Sequence, residues 1–363
     1  MTYLNYAALC PTLAEAEAEV ERTLTEFKRY LYSDAGIEWY LRKIRECRQQ
    51  VGALLHVSDP SSIAFTTNAS TAHYLTLSSL KWEPGDTILT TTHENPSITS
   101  QLHALEQEDV HVHAVRPASL QTFLNTLEER FNEPGVKAIV MSHVSHVDGR
   151  VFPIHEVASL ARARQCLVII DGAQAVGHIP IDLNALDFDS YFFAGHKWCE
   201  GPLGTGAMVL RESFLTHPRY RAIEGGEQHG ESPAARFEIG THNIGLIAGL
   251  AKACEQRHLR GINSAPQRIF RETAKELLGG HPNCRFMEWQ GPHAPGILTF
   301  KGADTLDHGE FAKRLASEAE IIVKSFVEYP EGDAPAIRLS WSSTMNPRDL
   351  QAGVSKIAQR LGS

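Results

Sequence analysis

The stretch Tyr191-Phe192-Phe193-Ala194-Gly195-His196-Lys197 joins a short apolar run to a lysine. The run reads as a buried strand, and a lysine at the end of a buried strand is costly to desolvate unless it has chemical work. A second run, Leu167-Val168-Ile169-Ile170, closes on Asp171, 26 residues before the lysine. One crossover between two buried strands fits that interval, so Asp171 and Lys197 are expected on neighbouring strand ends. A polar turn, Thr66-Thr67-Asn68-Ala69-Ser70-Thr71, follows a third strand-like segment.

Working outward, apolar segments at 62–66, 87–91, 111–115, 138–142, 167–170, 191–193 and 207–210 alternate with helical ones at 72–80, 98–107, 120–131 and 154–164. Continuously apolar strands alternating with helices predict an α/β fold with a large, mostly parallel, seven-stranded sheet covered on both faces. Ligands of such sheets bind beyond the carboxyl ends of the strands. The region 14–55 reads as helical. Past residue 247 the rhythm changes: helices near 248–259, 266–278 and 309–319 alternate with strands near 296–300, 321–324 and 336–341, and Asn346-Pro347 caps a last helix. The expected organisation is an N-terminal arm over 1–15, a large domain over 16–246 and a smaller α+β domain over 247–363.

With 34 basic against 43 acidic residues the net charge is −9, which disfavours a nucleic-acid or anionic-membrane partner. No apolar run is long enough to span a bilayer, and the first residues lack the basic and apolar regions of a signal peptide. Six scattered cysteines with no CxxC pair read as reduced thiols, so a cytoplasmic location is expected.

The three strand-end features make a chemical set. A desolvated lysine is neutral more readily and captures an aldehyde. A carboxylate beside a pyridine nitrogen keeps it protonated, and backbone N–H groups at a helix start hold a phosphate. That set suits pyridoxal 5'-phosphate (PLP), with Gln174 in reach of the ring's phenolic oxygen and His196 a candidate phosphate donor. Each feature alone has an ordinary structural reading; together they favour the cofactor. The turn Gly201-Pro202-Leu203-Gly204-Thr205-Gly206 lacks the lysine and hydroxyl of a P-loop and reads as support for the site. The histidines show no metal-ligand spacing, so no metal site is expected. Arg338, inside the apolar segment Ala336-Ile337-Arg338-Leu339-Ser340, reads either as an internal salt bridge or as a clamp on a substrate carboxylate.

These residues reach a family. The chain resembles the class V aminotransferase and cysteine desulfurase group of fold-type I PLP enzymes. The likeness is densest at 68–71, 94–97 and 142–149, in Asp171-Gly172-Ala173-Gln174, in Gly195-His196-Lys197-Trp198, in Gly201-Pro202-Leu203-Gly204 and at 236–243. The resemblance implies a homodimer with active sites at its interface and a small amino-acid substrate. It makes Lys197 the Schiff-base lysine, Asp171 the partner of the ring nitrogen and Gln174 a ligand of the ring oxygen. It puts Ala69, Ser70, His196 and Thr241 near the phosphate, Thr241 from the partner subunit, and makes Arg338 the carboxylate-binding arginine.

The departures concern the reaction. Where many relatives stack an aromatic residue, often His, on the ring, this chain has Asn95; His93 is the alternative through a shifted register. Where some relatives have Asn near the substrate carboxylate, His146 stands here. Ala194 replaces the usual hydroxyl before the lysine. Cysteine desulfurases carry a nucleophilic Cys upstream of the arginine, and the stretch 323–338 contains none. Gly195-His196-Lys197-Trp198 followed by Gly201-Pro202 looks most like the branch of cysteine/cystine C–S lyases and isopenicillin N epimerase-like proteins. The expected reaction is β-elimination from a sulfur amino acid, with aminotransfer, epimerisation or desulfuration as alternatives. Loops 225–236 and 326–336 are expected to set specificity.

Overall fold

A computed structural model describes residues 1–31, 33–221, 232–327 and 335–361. The strands in chain order are β1 Thr2–Tyr3, β2 Ile63–Thr66, β3 Thr87–Thr91, β4 His111–Val115, β5 Val136–Ser142, β6 Leu167–Asp171, β7 Ser190–Ala194, β8 Gly206–Leu210, β9 Arg285–Phe286, β10 Ile297–Lys301, β11 Ile321–Ile322, β12 Lys324–Phe326 and β13 Ala336–Ser340. The helices are α1 Ala14–Phe27, α2 Asp34–Leu55, α3 Ala69–Ser78, α4 Pro96–Glu106, α5 Leu120–Phe131, α6 Ile154–Arg162, α7 Glu212–Leu215, α8 Ile244–Arg260, α9 Ala265–Gly279, α10 His308–Ala319 and α11 Pro347–Arg360.

The large sheet has seven strands in the order β2-β8-β7-β6-β5-β3-β4. β4, β3, β5, β6 and β7 pair in parallel, and β8 runs antiparallel between β7 and β2. Successive residues of a strand face opposite sides. Val168, Ile170, Tyr191 and Phe193 enter one core, which takes Val51 of α2, Leu127 of α5, Val157 of α6 and Leu250 of α8. Leu167, Ile169 and Phe192 enter the other, beneath Leu75 of α3 and Leu102 of α4. Burial on both faces is why these strands carry continuous apolar runs, 167–170 in β6 and 191–194 in β7. β4 lies at the edge, and its His111 is exposed.

The helical region 14–55 is two helices. Ser33 starts α2, its hydroxyl accepting from the Gly36 N–H at 3.2 Å. α1 and α2 both pack on α8. α8 lies mostly beyond residue 246, yet its Ile247, Leu250, Ala251 and Cys254 belong to the first core of the large sheet.

A second sheet, β12-β13-β10-β9, is antiparallel throughout. Phe270, Leu315, Trp341 and Val354 build a separate core against it. The N-terminal segment is tied to this part of the molecule: β1 pairs in parallel with β11, and Asn5 bridges to Ser340. All six cysteines are free thiols, five of them buried. No helix among the described residues is long and apolar enough to cross a membrane.

Candidate active site

β6 and β7 lie side by side, Asp171 opposite Phe192, so their carboxyl ends open on one edge of the sheet. Past Ala194 the chain turns sharply: Gly195 N–H donates to the Thr205 carbonyl at 2.8 Å, and Gly201 N–H to the Gly195 carbonyl at 2.9 Å. The glycine-rich segment after the lysine is therefore a brace for this turn. Lys197 emerges from it into a cavity of about 760 Å³, whose wall also includes Asn5, Ala7, Asn95, His146, Gln174, Lys324, Phe326 and Arg338.

Burial lowers the basicity of the Lys197 amine, and the Asp171 carboxylate opposes that shift. Asp171 is buried and is not among the described residues of the wall. Its pKa is raised by burial and held back by Lys197 and by the Ala173 N–H, which donates to Oδ1 at 2.8 Å. A buried carboxylate thus sits within electrostatic reach of a half-buried amine, so the strand ends place both groups as the sequence spacing predicts.

On the opposite wall, β13 carries Arg338. Its Nη1 donates to the His146 carbonyl at 2.5 Å and its Nη2 to Asn5 Oδ1 at 3.1 Å. The Phe326 ring lies 5.5 Å from the guanidinium carbon and meets His146 edge-on at 5.8 Å. Burial and the positive charges of Arg338 and Lys197 push the His146 pKa well below its ordinary value, so the imidazole is neutral at pH 7. Gln174 closes the floor: its Nε2 donates to the Ala7 carbonyl at 2.8 Å and its Oε1 accepts from Trp198 Nε1 at 2.6 Å.

Asn95 reaches the cavity, but its Oδ1 accepts from the Ser97 N–H at 3.0 Å and caps α4. His93 does not replace it: that ring turns to Ser145 Oγ at 3.1 Å and is not part of the described cavity wall. Ala69 and Ser70 form the first turn of α3, where Asn68 Oδ1 accepts from the Thr71 N–H at 2.8 Å. This helix start abuts the strand ends, because a Cβ on Gly206 would lie 2.9 Å from Asn68 Cα, and Gly206 pairs with Ala194. His196 Nδ1 is buried with no hydrogen-bond partner among the described residues, and burial draws its pKa down to about 4. Thr241 is exposed ahead of α8 and does not line the cavity.

Several wall residues carried no signal in the sequence. Asn5 and Ala7 come from the N-terminal segment, and Lys324 and Phe326 from a strand whose side chains gave no chemical hint. Glu94 had no assigned role. It is buried, accepts from Thr91 Oγ1 at 2.5 Å and Ser142 Oγ at 2.6 Å, and burial lifts its pKa to about 7. Most of loops 225–236 and 326–336 lies outside the described residues.

A family model for aminotransferase class-V matches residues 13–341. The chain belongs to the aminotransferase class-V family. Like other members of this PLP-dependent family, it is a PLP enzyme, and the donor set fits that cofactor. The half-buried amine suits its aldehyde and the buried carboxylate its ring nitrogen. The unpartnered His196 Nδ1 and the start of α3 suit its phosphate. A probable cysteine desulfurase of Methanothermobacter thermautotrophicus is 26% identical over 340 residues, 89% of this chain and 83% of that protein. A cysteine desulfurase of Shigella flexneri is 38% identical over 151 residues, 39% of this chain and 36% of that protein. Among solved structures, the cystine C–S lyase C-DES, in complex with its reaction product cysteine persulfide, superposes with a TM-score of 0.84 at 23% identity. The superposition covers 98% of this chain and 97% of that one. At that identity the likeness is one of fold, the fold-type I arrangement of a class-V enzyme.

Proposed function

We propose that this class-V enzyme removes sulfur from a cysteine-type amino acid by β-elimination, as a PLP-dependent C–S lyase. One observation carries the choice of reaction: the cavity joins an amine to a guanidinium, and the described residues of its wall include no cysteine. The stretch 323–338, where a desulfurase holds its sulfur-accepting thiol, also lacks one. Burial raises the pKa of Cys10, Cys47, Cys166 and Cys284, and a hydrogen bond with Cys199 together with burial raises that of Cys254, which disfavours the thiolate that would accept sulfur. Without an acceptor, sulfur departs with the bonding pair. Cysteine and water give pyruvate, ammonia and hydrogen sulfide; cystine and water give pyruvate, ammonia and the persulfide of cysteine. That both cysteine desulfurases and a cystine C–S lyase are similar to this chain supports a sulfur amino acid as substrate.

When bound, PLP supplies an electron sink for the negative charge that develops at the substrate Cα. The protein does the rest. Lys197 would hold the cofactor through its aldehyde carbon, and its amine, more readily neutral because burial lowers its pKa, would be the base for the Cα proton. Asp171 keeps the ring nitrogen protonated. His196 and the N–H groups of Ala69 and Ser70 grip the phosphate, and Thr241 of the partner subunit adds a contact in a homodimer. Arg338 takes the substrate α-carboxylate beside neutral His146. With its carboxamide oxygen given to the α4 cap, Asn95 would line the cofactor's cavity without the stacking an aromatic residue could offer.

Product analysis with cysteine, cystine and S-substituted cysteines tests this reading. Pyruvate equal to the thiol released is expected. Alanine as product would make the enzyme a desulfurase. Amino transfer to a keto acid, or inversion at Cα without sulfur release, would replace elimination by one of the alternatives. Sedimentation at micromolar concentration is expected to show a dimer; a monomer would remove the role given to Thr241.

A further inference from the structure

Gln174 is a carboxamide, and either end of it fits the same space. Its neighbours settle the orientation. Trp198 Nε1 has only a proton to give, and it lies 2.6 Å from Gln174 Oε1. The Ala7 carbonyl only accepts, and it lies 2.8 Å from Gln174 Nε2. With one Nε2 proton spent on Ala7, the other remains for the cavity that Gln174 lines. Trp198 is itself held. Its indole stacks on His178 at 3.6 Å between centroids and 12° between planes. His178 has a single protonation pattern that satisfies its neighbours. Nε2 accepts from the Gly296 N–H at 2.9 Å, so the proton sits on Nδ1, which meets the Gln174 carbonyl at 3.0 Å. Burial holds the His178 pKa down to about 3, so this pattern persists at every working pH. The stack leaves no space at Gly296, where a Cβ would stand 2.7 Å from His178 Nε2 and 2.8 Å from Trp198 Cη2.

We infer that Trp198 and His178 are positioning residues, which lock the Gln174 carboxamide with one N–H aimed into the cavity as a donor to the cofactor's ring oxygen. The inference rests on the reading of Gln174 as ligand of that oxygen. An oxygen bearing negative charge needs a donor, and a flipped carboxamide would present a lone pair to it instead. A donor there also draws electron density from the ring oxygen, so a proton held next to it is released at lower pH.

The test is the pH at which the visible absorption band of the PLP-loaded enzyme converts. Gln174→Ala removes the donor and is expected to raise the midpoint by about one pH unit. Trp198→Phe keeps an aromatic ring over His178 but loses the indole N–H. It is expected to raise the midpoint comparably, with the double variant no further shifted than either single one. An unmoved midpoint in Gln174→Ala sinks the reading of Gln174 itself. A shift in Gln174→Ala with none in Trp198→Phe overturns the locking role alone. A measurement on apoprotein that keeps Trp198 guards against a misfolded Trp198 variant: one slowly exchanging indole N–H is expected to change shift between the unsubstituted chain and Gln174→Ala. If no indole N–H responds to that substitution, the lock does not exist.

Discussion

The site depends on two groups whose charges hold each other. The amine of Lys197 is weakened by burial and steadied by Asp171, so at a given pH its neutral fraction is larger than that of a free lysine. The rate of PLP capture by the apoenzyme is expected to reach half its plateau below pH 10.5, the ordinary lysine value. A midpoint at or above that value would show an amine in a solvent-like setting. Lys197→Ala should lose the band that borohydride fixes and at least about a hundredfold in turnover. Asp171→Asn should still bind the cofactor yet lose turnover by about a hundredfold, since a carboxamide cannot keep the ring nitrogen charged; near-normal turnover would remove Asp171 from the chemistry. At this scale much was legible, because Lys197, Asp171 and Arg338 are polar groups at the ends or inside of apolar runs, where the cost of desolvation marks them. Asn5 and Ala7 were not. They bear no unusual chemistry, and Ala7 meets Gln174 across 167 positions of sequence, a separation that local pattern does not encode.

Elements place these groups, and their ends matter most. Asn68 starts α3 by accepting from the Thr71 N–H, so Asn68→Ala is expected to cost about 1 kcal/mol in urea denaturation and to weaken phosphate retention. Loss of stability with unchanged affinity for PLP would uncouple the cap from the cofactor. α2 is tied to β2 directly, Arg48 Nε donating to the Ile63 carbonyl at 2.9 Å, and through one carboxylate. Glu238 receives Arg48 Nη2 at 2.7 Å and the Phe65 N–H at 2.9 Å, all of them buried. Glu238→Ala strands the Arg48 charge and is expected to cost about 3–5 kcal/mol; a loss under 1 kcal/mol would mean water replaces the carboxylate. The seven strands of the large sheet and α5 were visible as apolar runs and periodicity. β1 and β9 were not, since a two-residue strand has no period to detect, and each exists only because a distant partner accepts it; the strand expected near 321–324 is there, divided into β11 and β12. The break between α1 and α2 was hidden because the residues on both sides favour a helix.

Across the whole molecule, buried ionisable groups set the response to acid. Burial lowers His73 and His143 to about 4 and His178 to about 3, against 6.5 when free. Below pH 6.5 the unfolded chain therefore takes up protons that the folded one refuses, which costs about 1.4 kcal/mol of stability per pH unit for each group. Glu94 runs the other way, with a folded value of about 7 against 4.5 free, and offsets one histidine over that interval. The urea midpoint of the apoprotein is expected to fall steadily from pH 7 to pH 5; a rise would show that the histidines are not sealed from water. The change of rhythm near residue 247 was readable, but not that α8 would join a core of the large sheet, because amphipathicity says which face is buried and not against what.

The N-terminal segment has a consequence for biosynthesis. Asn5 steadies Arg338, Ala7 holds Gln174, and the Cys10 amide is bonded to the His196 carbonyl at 3.0 Å. A ribosome extrudes these tethers well before β11 and Arg338, which emerge more than three hundred residues later. The nascent chain therefore carries the lysine and its aspartate without the far wall. Competence is acquired only when the segment around Asn5 to Cys10 docks onto strands made more than three hundred residues later. Refolding should accordingly show a lag between the return of backbone structure and the return of turnover.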